Sequence, residues 1–212
     1  MKIILLGAPG VGKGTQAQRL CARFGLEHWS TGDMLRAAVA AKSPMGLSVA
    51  AYLAAGQLVP DATVMALIQD RMQGLSLGGG AGFLLDGFPR TLAQADSLER
   101  AGMMIDRVIC IQVPDAVIIE RLSGRRVHPA SGRTYHLQSH PSLCDDVTGE
   151  PLVQRADDQP EIIEKRLHIY HKSTEPLMNW YAERQYPLDR ISGLGTVEEV
   201  WLRVESLMLH SA

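Results

Sequence analysis

The chain has 212 residues, enough for one domain with a full hydrophobic core and room for smaller insertions. Its 21 Lys and Arg against 23 Asp and Glu give a formal net charge of −2, which removes any general electrostatic drive toward nucleic acid or an anionic membrane. With 46% hydrophobic, 21% charged and only 5% aromatic residues, the composition excludes disorder and argues against base stacking as a main activity.

The first apolar run, residues 3–6, stops at a Gly/Pro cluster and then meets Lys13. It is too short for a signal-peptide core and suits a buried strand. Residues 83–85, 108–113 and 188–191 read as further strands of a parallel sheet. Helices fall between them. Ala17, Leu20, Cys21 and Phe24 follow helical spacing, which makes Cys21 a packing residue rather than a reactive thiol. Pro160 stands in the first turn of a helix carrying Ile162, Ile163, Leu167 and Tyr170. Val197, Val200, Trp201 and Val204 form another, behind a Thr196-x-x-Glu199 capping box. Alternation of this kind predicts a doubly wound α/β fold.

Two stretches break the alternation. Residues 30–59 are Ala-rich and helical in pattern with no further strand, and residues 123–159 are polar, with turn signals at Ser131-Gly132 and Thr148-Gly149. Both are expected to be insertions at strand ends, leaving 1–29, 60–122 and 160–212 as the core. The uncharged segment 43–60 raises a membrane question, but Pro44, Gly46, Ser48, Gly56 and Gln57 interrupt it. Three cysteines, Cys21, Cys110 and Cys144, without C-x-x-C spacing argue for a reducing, cytoplasmic setting.

Gly7-Ala8-Pro9-Gly10-Val11-Gly12-Lys13-Gly14-Thr15 follows the first strand directly and opens the first helix. Glycines there allow a tight turn whose N–H groups face phosphate oxygens; the helix N-terminus adds positive potential and Lys13 reaches the terminal phosphates. The strict P-loop pattern places Ser or Thr right after the lysine, whereas Gly14 stands there with Thr15 next, so a direct magnesium role for Thr15 is not assigned. No Asn-Lys-x-Asp guanine reader is present, and Asp146-x-x-Gly149 lies in the polar insertion, away from any strand end where a GTPase switch belongs. Further on, Asp86-Gly87-Phe88-Pro89-Arg90 puts a carboxylate at a strand end, followed by a turn and an arginine. Asp86 serves either magnesium and its waters or the turn itself. Thr91-x-x-Gln94 reads as a capping box, as a ligand contact through Gln94, or as both.

These motifs, with Ser30-Thr31-Gly32-Asp33-Met34-Leu35-Arg36 and Gly124-Arg125-Arg126, resemble the adenylate kinase family, in its long-lid bacterial type, over essentially the whole chain. The resemblance implies a P-loop core with an AMP-binding insertion and a lid, and the reversible reaction of magnesium-ATP with AMP to give two ADP. It implies that Gly10, Val11, Gly12, Lys13, Gly14 and Thr15 hold the ATP phosphates. Arg121 would pack on the ATP adenine, with Thr134, Tyr135 and Gly195 completing that end. Thr31, Arg36, Gln57, Leu58, Val59, Gly87, Phe88, Pro89, Arg90 and Gln94 would hold AMP, with Gln94 reading the base and Arg90 gripping the phosphate. Arg125, Arg155 and Arg166 would close on the transferring phosphoryl group, beside Lys13 and Asp86. A monomer is expected, with no nucleic-acid or membrane partner.

Some relatives hold structural zinc in the lid through two ligand pairs at i, i+3. Here the corresponding pairs are His128/Ser131 and Asp145/Thr148. Hydroxyls are poor structural zinc ligands, so a metal-free hydrogen-bonded lid is expected. Asp157 and Asp158 serve magnesium waters or cap the Pro160 helix. Two other functions remain in play. One is a kinase for another nucleoside monophosphate, against which Gln94 and the long lid argue; the other is a P-loop switch or regulatory ATPase, which would have no use for Arg36, Arg90 or the first insertion.

Overall fold

The computed structural model describes residues 1–78 and 82–209. Five parallel strands form the central sheet in the order β2-β3-β1-β4-β7: β1 Lys2–Leu6, β2 Glu27–Ser30, β3 Phe83–Asp86, β4 Arg107–Gln112 and β7 Leu188–Ser192. The four expected strands are present, each extended by one residue or shifted by one. The fifth, β2, was not expected: with only Trp29 and Ser30 buried, this edge strand carries too few apolar residues to announce itself.

Alternation along the strands divides the core in two. Ile4, Leu6, Leu85, Val108 and Cys110 face one side, where α5 (Leu92–Arg100) and α8 (Leu177–Glu183) pack through Leu98, Leu177 and Tyr181. Ile3, Leu5, Leu84, Ile109 and Ile111 face the other. They meet Leu20 of α1 (Lys13–Phe24), Ile118 of α6 (Asp115–Ser123), Leu167 of α7 (Pro160–Ile169) and Val204 of α9 (Val197–Leu209). Cys21 packs against this second face, and burial pushes its thiol up to about 11. The Thr196 capping box closes as expected: Thr196 N donates to Glu199 Oε2 at 2.7 Å, and Glu199 N to Thr196 Oγ1 at 3.2 Å.

The first insertion contains α2 (Thr31–Ala40) and α3 (Pro44–Ala54), capped by Ser30 and Ser43, and leads into α4 (Asp61–Gly78). The axes of α2 and α3 turn by 116°, and among the described residues no single helix is long and apolar enough to cross a membrane. The second insertion carries a hairpin of β5 (Arg125–Val127) and β6 (Thr134–His136), then a 3-10 turn, Ala156–Asp158. Gly132, in the expected turn, adopts φ 72°. A π turn, Tyr170–Thr174, follows α7 and lets Thr174 Oγ1 donate to Arg90 O at 2.8 Å.

Because every strand of the sheet is parallel, the segments after β1, β2, β3 and β7 all emerge at one edge. The register fixes their spacing: Leu5 pairs with Asp86, and Asp86 in turn with Ser30.

A Cβ on Gly46 of α3 would collide with the backbone of Ala38 and Val39 in α2. Alanine is the better helix former by about 1 kcal/mol, yet the neighbouring backbone has nowhere to retreat. Gly46→Ala is therefore expected to destabilise the α2–α3 pair by roughly 2 kcal/mol. Amide exchange should speed up within residues 31–54 while the sheet amides keep their protection.

Candidate active site

Along that edge lies a cavity of about 940 Å³, at the upper end of the size that small-molecule sites take. The segment after β1 forms its floor. Gly10 and Gly12 sit at φ 86° and 99°, conformations that a side chain would strain, and Gly12 caps α1 without any side-chain bond. The opening N–H groups of a 12-residue helix are thus left facing the cavity. Lys13 folds back over this loop, its Nζ donating to Gly7 O at 2.7 Å and Ala8 O at 2.8 Å. Burial lowers its pKa to about 8, which Asp86 resists and Arg90 and Arg166 assist.

Asp86 is buried at the end of β3, where its Oδ2 meets His28 Nε2 at 3.4 Å. Gly87 turns with φ 75°, and its carbonyl accepts from Thr31 Oγ1 and Arg90 Nε, both at 2.8 Å. Asp86 offers hard carboxylate oxygens beside the loop, a donor that suits magnesium better than a softer metal. Among the described residues no group of three or more His, Cys, Asp or Glu side chains is arranged to hold a metal ion.

Cations converge on the cavity from several elements. Lys13, Arg36, Arg90, Arg121, Arg125, Arg155 and Arg166 all line it, and Arg133 joins them, making 8 of the 21 basic residues in the chain. Carboxylates hold most of them in place. Asp158, fully buried, takes Arg125 in a two-pronged bond of 2.7 and 2.5 Å and Arg166 Nη1 at 3.1 Å. Asp157 pairs with Arg166 at 3.1 Å. Asp33 accepts from Arg36 at 2.5 Å and lies 3.8 Å from Arg155 of the second insertion. Burial opposes that carboxylate's charge, but Arg36 and Ser30 hold its pKa below the usual value. Burial, together with Arg36 and Arg125, lowers Arg155 to about 10, so it stays cationic at neutral pH. Arg121 donates to Gly193 O at 3.0 Å, tying α6 to the segment that follows β7.

Neither sequence-based role for Asp157 and Asp158 includes what their side chains do here. Gln159 is the N-cap residue of α7 and no side chain caps that helix, so the capping alternative is corrected: these carboxylates serve arginines. A second departure concerns Phe88, which is fully buried in the core and does not line the cavity. The other residues expected to hold nucleotide do line it: 10–15, Thr31, Gln57, Leu58, Val59, Gly87, Pro89, Gln94, Thr134, Tyr135 and Gly195. Gln94 forms half of the expected capping box, its Oε1 being taken by Arg90 N at 2.7 Å. Its backbone N donates to Thr91 Oγ1 at 3.2 Å, capping α5, and its side chain reaches the cavity wall.

The four lid residues lie off the cavity and bond to one another and their neighbours. His128, 1% exposed, contacts Ser131 Oγ at 2.7 Å and Glu150 Oε2 at 2.6 Å. Asp145 accepts from Arg133 at 2.7 and 2.5 Å, from Tyr135 at 2.8 Å and from Thr148 Oγ1 at 3.0 Å. The Arg133 bonds hold its carboxyl far below the ordinary range. Asp33, Asp61, Arg133 and Glu150 were not found by sequence reasoning, because each acts through partners and not through a motif of its own.

A phosphate loop at the edge of a parallel sheet, with arginines from several elements gathered around the same cavity, defines an enzyme that handles nucleotide phosphates. The family model described as adenylate kinase matches residues 5–186, and the chain belongs to the adenylate kinase family. It is a nucleoside monophosphate kinase that moves a phosphoryl group between adenine nucleotides, and the family generally uses Mg²⁺ with ATP.

Removing Asp158 leaves Arg125 and Arg166 without their buried counter-ion. Asp158→Ala is expected to lower the unfolding free energy in urea by about 3 kcal/mol. Inorganic phosphate, which can take the carboxylate's place between the arginines, should restore more of that loss than chloride at equal ionic strength.

Proposed function

We propose that this chain is an ATP:AMP phosphotransferase that holds ATP on the loop after β1 and AMP against α2, α5 and the segment after β3. One observation carries the reading: eight cations converge on a single cavity floored by an uncapped helix N-terminus. The loop residues 10–15 hold the ATP phosphates, Arg121 packs on its base, and Thr134, Tyr135 and Gly195 close that end. Thr31, Arg36, residues 57–59, Gly87, Pro89 and Arg90 hold AMP, with Gln94 at its base. Phe88 supports the turn from the core.

Phosphoryl transfer needs alignment and charge neutralisation more than covalent help. A phosphate monoester has a second pKa near roughly 6, so the AMP phosphate is a dianion at neutral pH and needs no general base. Arg90 grips that nucleophile. Arg125, Arg155 and Arg166 grip the moving group through forked, bidentate contacts that both orient and neutralise it. Asp86 would hold Mg²⁺ and its waters, and the ion would supply charge neutralisation to the donor phosphates. The insertions 30–59 and 123–159 hinge against the core and exclude water, which would otherwise take the phosphoryl group. Lid shape rests on the His128, Ser131, Asp145 and Thr148 network in place of zinc. The protein acts as a cytoplasmic monomer on ATP, AMP and ADP, with no nucleic-acid or membrane partner.

A coupled ADP assay with ATP and each monophosphate in turn tests this reading. Activity with AMP alone is expected; turnover mainly with UMP or CMP, or ADP release without any acceptor, overturns it. Arg90→Ala should lower kcat/KM for AMP at least about a hundredfold, the scale of losing one oriented charge-stabilising donor. Its unfolding midpoint should stay near that of the parent, since Arg90 is exposed.

Lys13 adds a pH test with a definite sign. Free Lys13 titrates near pH 8, and a bound polyphosphate keeps it charged to higher pH. Below pH 7 ATP binding takes up no proton at this group. From about pH 8 to 9 it takes up as much as one, and affinity falls as pH rises. Calorimetry in buffers of different ionisation enthalpy reads the uptake, and Lys13→Arg should abolish it.

A further inference from the structure

We infer that Asp61 is a positioning residue that fixes the order of donor and acceptor which Gln94 presents to the acceptor's base. The inference rests on the proposed reading of Gln94 as the residue that meets this base. Asp61 opens α4, where the chain leaves the first insertion, and it stands half-buried against α5. Both of its carboxylate oxygens are engaged there. Oδ2 accepts from Thr91 Oγ1 at 3.0 Å, and Oδ1 accepts from Gln94 Nε2 at 2.6 Å. On its other side Gln94 Oε1 accepts from Arg90 N at 2.7 Å. Gln94 is 2% exposed, and what remains accessible faces the cavity alongside Val59 and Val64.

A primary amide is nearly symmetric in shape under a half-turn, so shape alone does not fix which end donates. That matters for purines. Adenine offers an acceptor at N1 beside a donor at the 6-amino group. Hypoxanthine offers the reverse, a donor at N1–H beside an acceptor at O6. An amide free to turn over would serve either base.

Here the two partners of the amide have single and opposite polarity. A carboxylate only accepts, and a backbone N–H only donates. Turning the amide over would set Oε1 against the Asp61 carboxylate and Nε2 against the Arg90 N–H, two repulsive contacts in a buried place. The observed orientation leaves one amide hydrogen and one oxygen lone pair free for a ligand, in one fixed order. Thr91 supports the lock: its hydroxyl accepts from Gln94 N at 3.2 Å and so directs its own hydrogen to Asp61. Asp61 need not touch the nucleotide to choose between bases.

The test compares AMP with inosine monophosphate as acceptors. Asp61→Asn replaces an obligate acceptor by an amide that can turn to suit either orientation of Gln94. The ratio of kcat/KM for AMP to that for inosine monophosphate should fall about tenfold, the worth of one net hydrogen bond. The change should lie mainly in the acceptor KM, with the KM for ATP within about twofold, the ordinary scatter of an effect with no net free energy. Should Asp61→Asn fold poorly, Asp61→Ser, whose hydroxyl also donates or accepts, gives the same comparison.

Gln94→Ala separates the two levels of the argument. If it raises the AMP KM while both Asp61 variants keep the parent's base preference, the Asp61 inference fails and the reading of Gln94 stands. If Gln94→Ala leaves the AMP KM unchanged, the reading of Gln94 fails and the inference with it. A loss of kcat, or a rise in both KM values at constant base preference, marks a merely structural Asp61 and overturns the proposal.

Discussion

Mutual repulsion among the cleft cations is the constraint that organises this molecule. Two unit charges about 4 Å apart repel by roughly 4 kcal/mol at an effective dielectric constant of 20. Arginines brought to one cavity from α2, α6, α7 and both insertions therefore need anions of the protein's own. Asp158 supplies the central one, fully buried between Arg125 and Arg166, and Asp33 does the same for Arg36 with Arg155 close by. Carboxylates thus hold the forks near where phosphate oxygens are proposed to lie. A ligand phosphate exchanges one anion for another and does not have to gather scattered charges. The near-neutral total of −2 reflects this balance: 8 of the 21 basic residues sit in one cleft, against a surface that must be net acidic.

Such a cluster is possible because the sheet is wholly parallel. Parallel pairing sends the chain out at the same edge after each strand, so the loop at Gly7, the start of α2 at Thr31 and the turn at Gly87 become neighbours despite distances of 24 to 80 residues along the chain. Packing on both faces fixes the edge itself. Ile4 and Leu6 point to one core layer while Ile3 and Leu5 point to the other, so β1 cannot slip by one residue without turning both layers inside out. The phosphate loop inherits its position from that register.

These relations explain what was legible in the sequence. The buried strands, the phosphate loop and the capping box at Thr196 are local patterns, and each could be read within a window of about ten residues. The edge strand β2 could not, since Glu27 and His28 hide its period and only its pairing with β3 defines it. Arginines were legible as candidates because they sit in motifs. The pairings of the carboxylates were not: Asp158, singled out for other roles, lies 33 residues from Arg125, and Asp61 lies 33 from Gln94. A carboxylate with a remote partner looks like any solvated charge until the chain is folded. Phe88 shows the converse, a residue inside a ligand-binding motif whose side chain belongs to the core.

The polar second insertion follows the same logic at smaller scale. Asp145 is buried in a segment too small to have a hydrophobic core of its own, and its partners Arg133, Tyr135 and Thr148 all come from that segment. His128 likewise takes Ser131 and Glu150 from within it. A segment tied internally keeps its shape whatever its position over the cleft. Its charged, exchangeable links to the rest are of a different kind, as in Arg155 facing Asp33 and Arg166 of α7 facing Asp157 and Asp158. If a phosphate displaces those carboxylates, the bonds that break are between the insertion and its surroundings, while the bonds that define the insertion survive. On the proposed mechanism that division lets ligand binding drive closure as a rigid-body step, since a phosphate that replaces those carboxylates acts on contacts between the insertion and its surroundings.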